Sequence, residues 1–256
     1  MIHPSAIIDS SAVVAEDVTI GPYTVIGADV KIDSGTVVGS HVVIKGPTSI
    51  GKKNRIYQFS SIGEDPQDKK YANEVTRLEI GDRNTIREFA TMHRGTKQDQ
   101  GVTKIGNDNL FMAYTHVAHD CQIGNHVIMA NGASLAGHVQ LHSHAILGGF
   151  TLVHQFAKIG EYSFAAMGSA ITQDIPPFVM VGGKPTKPHG INSVGMERNG
   201  ISPEDIRLIR KAYKMIYKMN LRLEDAIDQM EDLAGDSREL SAMVNFLRSV
   251  SRGILR

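Results

Sequence analysis

Residues 2–27 read IHPSAIIDSSAVVAEDVTIGPYTVIG, and a step of six from Ile2 lands on Ile8, Val14, Ile20 and Ile26. The same step continues through Ile32, Val38, Ile44, Ile50 and Ile56 to Ile62 without a miss. Glycine often follows, as at Gly21, Gly27, Gly39, Gly51 and Gly63. The fourth residue after each aliphatic is small or β-branched: Ala6, Ala12, Val18, Thr24, Val30, Thr36, Val42 and Thr48. A period of six is neither the 3.6 of a helix nor the 2 of a long strand, but it suits short strand segments divided by turns, with two inward positions in each hexad. Three hexads then make one coil of a mainly β, parallel β-helix solenoid, a prism on the order of 40 Å tall.

The phase resumes at Ile80, Ile86 and Met92, and again from Ile105 through Phe111, Val117, Ile123, Met129, Leu135, Leu141, Leu147, Val153, Ile159 and Ala165 to Ile171. The polar stretches 64–78 and 94–104 lack the stripe and read as loops thrown out from the body. From about residue 191 the spacing turns helical. Ser202-Pro203-Glu204-Asp205 supplies an N-cap, a first-turn proline and two acids, and three apolar stripes follow: Ile206 to Tyr217, Leu223 to Leu233, and Leu240 to Val250. The sequence therefore predicts a β-helix domain over 1–190 and a C-terminal α-helical cap of three helices over 191–256.

Composition narrows the function. The 256 residues carry 27 basic and 27 acidic side chains, which gives no whole-chain attraction to nucleic acid or to an anionic membrane. A single Cys forms no internal disulfide, and neither a secretory leader nor a spanning apolar run is present, so the cytoplasm is expected and membrane insertion is not.

Since the inward stripes are committed to packing, chemistry must come from corners, outer faces and loops. His93, His116, His119, His138 and His154 all lie off the stripes, in the middle of the chain. Residues eighteen apart lie above one another, which stacks His119, Gly137 and Gln155: a base, a bare peptide edge and an amide. Acyl transfer to a hydroxyl needs that set, because a neutral imidazole must take the hydroxyl proton and N–H donors must meet the oxyanion. Asp120 follows His119 and is placed to hold its second nitrogen. Cys121 falls on the small inward stripe and reads as core filling. The run His138, His142, His144 occupies mixed hexad positions, so no metal site is expected there.

The segments IYQFSSIGE (56–64), QDKKY (67–71), TMHRGT (91–96), THVAHDCQIGNH (115–126), LAGHV (135–139), VHQF (153–156) and the terminal SRGILR resemble the hexapeptide-repeat family of acyl-carrier-protein:UDP-N-acetylglucosamine O-acyltransferases, over essentially the whole chain. That resemblance implies a left-handed winding and a cytoplasmic homotrimer with sites between neighbouring prisms. It also implies transfer of an (R)-3-hydroxyacyl chain from acyl carrier protein to the sugar 3-hydroxyl of UDP-N-acetylglucosamine, the first step of lipid A synthesis. No cofactor is implied beyond the phosphopantetheine of the carrier.

Residue by residue, the resemblance makes His119 the base, Asp120 its partner and Gly137 the oxyanion donor. Asp68, Lys70, His93, His116, His138 and Gln155 match sugar-nucleotide contacts, and His154 lies near the donor. Asn192 and Arg198 match nucleotide and phosphate contacts. Val194 and Asn199 depart from a family glutamate and arginine, which alters the grip on the diphosphate. Met167 stands where the family sets acyl-chain length, and a bulky side chain there implies a chain of roughly 10 to 12 carbons. An acidic carrier would land on a basic patch of Arg77, Arg83, Arg87, Arg94, Lys97 and Lys104. Transfer to a 3-amino sugar nucleotide stays open, because the same base could serve either group, while a metal-dependent β-helix enzyme of the carbonic-anhydrase type fits less well, since the local histidine pairs lack that family's spacing.

Overall fold

A computed structural model describes residues 1–256. Its strands are two to five residues long and pair with the strand one lap on: Ile7 lies opposite Val25, Val117 opposite Leu135, and Leu135 opposite Val153. Three sheets result. The first has nine strands, from Ile7–Ile8 to Ala170–Ile171, and the second eight, from Val13–Val14 to Lys158–Ile159. The third has ten, from Thr19–Ile20 onward, closing with Val179–Gly182 and the antiparallel Lys187–Ile191. Together they form a left-handed parallel β-helix.

Both sequence stripes point inward. Ile20, Ile26, Ile44, Ile62, Val117 and Leu135 are buried, as are Val18, Thr24, Val30, Thr36 and Val42 of the second stripe. Buried threonines of the second stripe can keep their hydroxyls bonded, Thr24 Oγ1 donating to the Gly39 carbonyl at 2.7 Å and Thr36 Oγ1 to the Gly51 carbonyl at 2.9 Å, whereas the Thr115 hydroxyl on the same stripe has no partner. At one corner Asn54, Asn84 and Asn109 stack, each amide bonded to the next coil, with Asn54 Oδ1 accepting from the Asn84 peptide N–H at 2.8 Å.

The corners repeat a left-handed backbone residue once per lap, at Asp120 (φ 60°), His138 (63°) and Phe156 (65°) on the edge between the first and second sheets. Each costs roughly 1 kcal/mol or more for a residue with a Cβ. Ring stacking offsets part of that cost: Phe59, Phe89 and Tyr114 stack at 5.2 and 4.8 Å on the edge between the third and first sheets.

Three expectations need correction. Arg77–Ile80 and Val102–Ile105 are strands, so the excursions shrink to 65–76 and 94–101. Leu78, Val102 and Thr103 are buried; their charged neighbours disguised the stripe. The cap has four helices, not three: α1 (Ser193–Arg198), α2 (Pro203–Tyr217), α3 (Leu223–Ala234) and α4 (Arg238–Arg248). Six residues of α1 are too few to display a 3.6 period. The hexads also give way earlier than residue 190, to the hairpin of 179–191. Ile206, Ile209, Tyr213 and Ile216 form the buried face of α2. No helix is long and apolar enough to cross a membrane.

Candidate active site

The lap of eighteen stacks His119 on Gly137. A Cβ built on Gly137 would meet His119 Cε1 at 2.5 Å and Nε2 at 2.7 Å, so the imidazole occupies the space that only glycine leaves free. The Gly137 N–H has no acceptor within the chain. On the ring's other side, His119 Nδ1 lies 2.9 Å from Asp120 Oδ2. The left-handed backbone at Asp120, a residue type that tolerates it, turns the carboxylate back under the preceding ring.

Asp120 is itself buried and fixed. Its carboxylate accepts from the Thr96 peptide N–H at 2.9 Å and the Thr96 hydroxyl at 2.7 Å. Burial works against its charge, yet the bonds from His119 and Thr96 outweigh it and hold the carboxyl below the usual range. Thr96 went unmarked in the sequence because it sits in a polar excursion with no repeat to index it. Asp99, from the same excursion, lies 2.8 Å from His138 Nδ1. The His138 ring is edge-on to His119 at 5.0 Å and stacked on Phe156 at 4.4 Å.

A cleft of about 700 Å³ opens here, lined by Asp68, Lys70, Asp99, His119, His138 and Gln155. A larger hollow of about 810 Å³, on the second sheet beside Lys104 and Gln122, contains no hydrogen-bonded acid–base pair. His116 stands on the first sheet, its Nδ1 2.7 Å from Thr91 Oγ1, with His93 edge-on to it at 5.0 Å. The sequence placed His93 off the core stripes, but the excursions cover it and leave it 3% exposed. Burial pushes its pKa down to about 4. His154 is exposed, with Nδ1 3.1 Å from the Gln155 carbonyl.

Other candidates lie elsewhere on the chain. Asn192 is buried at the third edge, where its Oδ1 caps α1 by accepting from Gly195 N–H and its Nδ2 donates to the Tyr162 carbonyl. Arg198 is exposed in the last turn of α1, and Asn199 Nδ2 donates to the Gly195 carbonyl. Met167, 81% exposed, is on the edge between the third and first sheets. His138, His142 and His144 do not converge, for His142 packs on Phe246 and His144 on Tyr162. The three-donor group that does form is His119, Asp120 and His138, and both imidazoles in it are already at hydrogen-bond distance from carboxylates. Cys121 is fully buried and its thiol is raised to about 12, so it is core.

The basic patch is largely neutralised. Arg77 pairs with Glu79, Arg83 with Asp108 and Arg87 with Glu88, while Arg94 is buried against Asp65; only Lys97 and Lys104 lack an ion pair.

A carboxylate-held imidazole over a bare peptide, on a hexapeptide β-helix, is the arrangement expected of an acyltransferase class, and comparison with known proteins narrows it. The family described as bacterial transferase hexapeptide (six repeats) matches residues 11–46 and 103–137, and that described as UDP N-acetylglucosamine O-acyltransferase, domain 2, matches 174–255. The acyl-[acyl-carrier-protein]--UDP-N-acetylglucosamine O-acyltransferase of Halorhodospira halophila is 55% identical, over all of this chain and 99% of its own. The solved UDP-N-acetylglucosamine acyltransferase of Francisella novicida is 40% identical with a TM-score of 0.98, covering 100% of this chain and 94% of its own. That of Moraxella catarrhalis is 45% identical at 0.98, covering 100% and 99%. The chain belongs to the UDP-N-acetylglucosamine O-acyltransferase family.

His93 makes stability pH-dependent. The folded state keeps it neutral down to about pH 4, while the unfolded chain protonates it near 6.5, so stability present above 6.5 is lost as pH falls through that window. This one group contributes a slope of up to about 1.4 kcal/mol per pH unit. Urea denaturation at pH 7, 6 and 5 should show a falling midpoint that is flatter in His93→Gln; parallel slopes would refute the assignment.

Proposed function

We propose that this protein transfers an (R)-3-hydroxyacyl group from its thioester on acyl carrier protein to the 3-hydroxyl of UDP-N-acetylglucosamine, the first step of lipid A biosynthesis. The observation that carries this reading is the column itself, with Asp120 on His119 Nδ1 at 2.9 Å and the open Nε2 edge over the Gly137 peptide.

The chemistry follows from the geometry. Asp120 holds the Nδ1–H tautomer, which leaves the Nε2 lone pair to take the proton as the sugar oxygen attacks the thioester carbonyl. The carbonyl oxygen becomes an oxyanion that the Gly137 N–H meets, and the buried carboxylate stabilises the imidazolium. Collapse forms the ester and expels the thiolate, which takes the proton back from His119. Asp68, Lys70, His138 and Gln155 line the cleft in which the sugar would lie. No resident cofactor is called upon, because the acyl group arrives activated on the carrier's phosphopantetheine.

Asn192, Arg198 and Met167 stand on other edges of the prism. Their inclusion in one site is reconciled by a homotrimer in which neighbouring prisms share each groove, with the nucleotide held partly by the adjacent copy. The reading places the reaction in the cytoplasm, where the carrier is loaded, with no nucleic acid or membrane insertion involved.

His119→Ala should lower kcat by about 10³-fold or more with the fold retained. Gly137→Ala, whose methyl displaces the ring, should lower it by about 10²-fold. Near wild-type turnover in either would sink the mechanism. Met167 should restrict chain length: Met167→Gly is expected to shift preference from ten- or twelve-carbon donors toward fourteen carbons, and an unchanged ranking of the three donors would reject the assignment.

A further inference from the structure

The terminal SRGILR is tied to the candidate site. Arg252 Nη1 donates to the Gln155 carbonyl at 2.8 Å, across 97 residues of sequence. Its own carbonyl accepts from Gln173 Nε2 at 3.3 Å. The following residues anchor it: Asp174 N–H donates to the Gly253 carbonyl, Leu255 N–H donates to the Asp174 carbonyl at 2.9 Å, and Ile254 and Leu255 are buried. Gly253 takes φ +78°, which lets the chain turn from the exposed Arg252 into that buried anchor.

The guanidinium thus hangs on a rigid tether beside the catalytic column, with one N–H spent on a backbone carbonyl and the rest free. It has no carboxylate partner, unlike Arg77, Arg83, Arg87, Arg94 and Arg248. The buried Asp174 in the same turn is near enough to feel the Arg252 charge but forms no ion pair with it, and spends its Oδ1 on the Lys158 N–H at 2.8 Å. A fixed, unpaired guanidinium presents a planar fork suited to phosphate oxygens.

Building on the proposed reaction, we infer that Arg252 is a phosphate-binding residue of this site. Two sources of phosphate enter that reaction: the phosphodiester of the donor's phosphopantetheine arm and the diphosphate of the nucleotide sugar. The Gln155 carbonyl, which Arg252 grips, lies two laps above His119, so the guanidinium flanks the cleft that both must reach.

Steady-state kinetics of Arg252→Gln and Arg252→Lys in the full chain test this. Glutamine keeps an N–H for the Gln155 carbonyl but no charge; lysine keeps the charge. Arg252→Gln should raise KM about tenfold, with Arg252→Lys nearer wild type and kcat little changed in both. If the donor supplies the phosphate, KM rises for hydroxyacyl carrier protein but not for hydroxyacyl-pantetheine, which lacks it; if the nucleotide does, KM rises for UDP-N-acetylglucosamine. A loss of kcat alone, equal damage with the phosphate-free thioester and an unchanged nucleotide KM, or no effect would overturn the inference and leave Arg252 a strut for the Gln155 turn. Wild-type protein that acylates no UDP-N-acetylglucosamine would instead defeat the functional reading, and this inference with it.

Discussion

The eighteen-residue lap is the constraint on which the rest of this molecule depends. With Val117, Leu135 and Val153 locked in register, a side chain at one corner has its lap-mate directly above it. A slip of one residue would turn the buried aliphatic stripe outward, so burial of that stripe enforces the register. The register, in turn, puts an imidazole against a peptide with no Cβ. Precision at the site is thereby inherited from the hydrophobic core.

The excursions do the work that a regular repeat cannot. A strict β-helix offers shallow outer faces, whereas residues 94–101 fold back to close one side of the site. From there Thr96 bonds Asp120 and Asp99 meets His138. The same cover buries His93 beside His116 and keeps its ring neutral far below the ordinary histidine range. A buried, hydrogen-bonded carboxylate behind the imidazole and an open N–H beside it are what the proposed acyl transfer asks of a preorganised site.

Much of this could be read from the sequence, for a physical reason: a repeat turns distance along the chain into distance in space. The stacking of His119, Gly137 and Gln155 follows from arithmetic, as does the burial of Cys121. Where the repeat breaks, legibility goes too. Leu78 and Thr103 were hidden among polar neighbours, Thr96 and Asp99 sit in segments with no index, and α1 is too short to show a period. Surface charge was least legible, because Arg83, Arg87 and Arg94 look like a patch in sequence while each has a carboxylate partner in space. Asn192 caps α1 as well as matching a family contact, and only coordinates disclose that first duty.

In the proposed reaction the buried carboxylate sets the proton on one side of the imidazole and leaves the other free to act. Nitrogen-15 spectra of histidine-labelled protein near neutral pH, with the His119 signal identified by its loss in a substituted variant, read that directly. A proton on Nδ1 and a bare, acceptor-type Nε2 are expected, with the pattern disturbed when Asp120 is replaced by asparagine. A His119 ring protonated on Nε2 and bare on Nδ1 would contradict it.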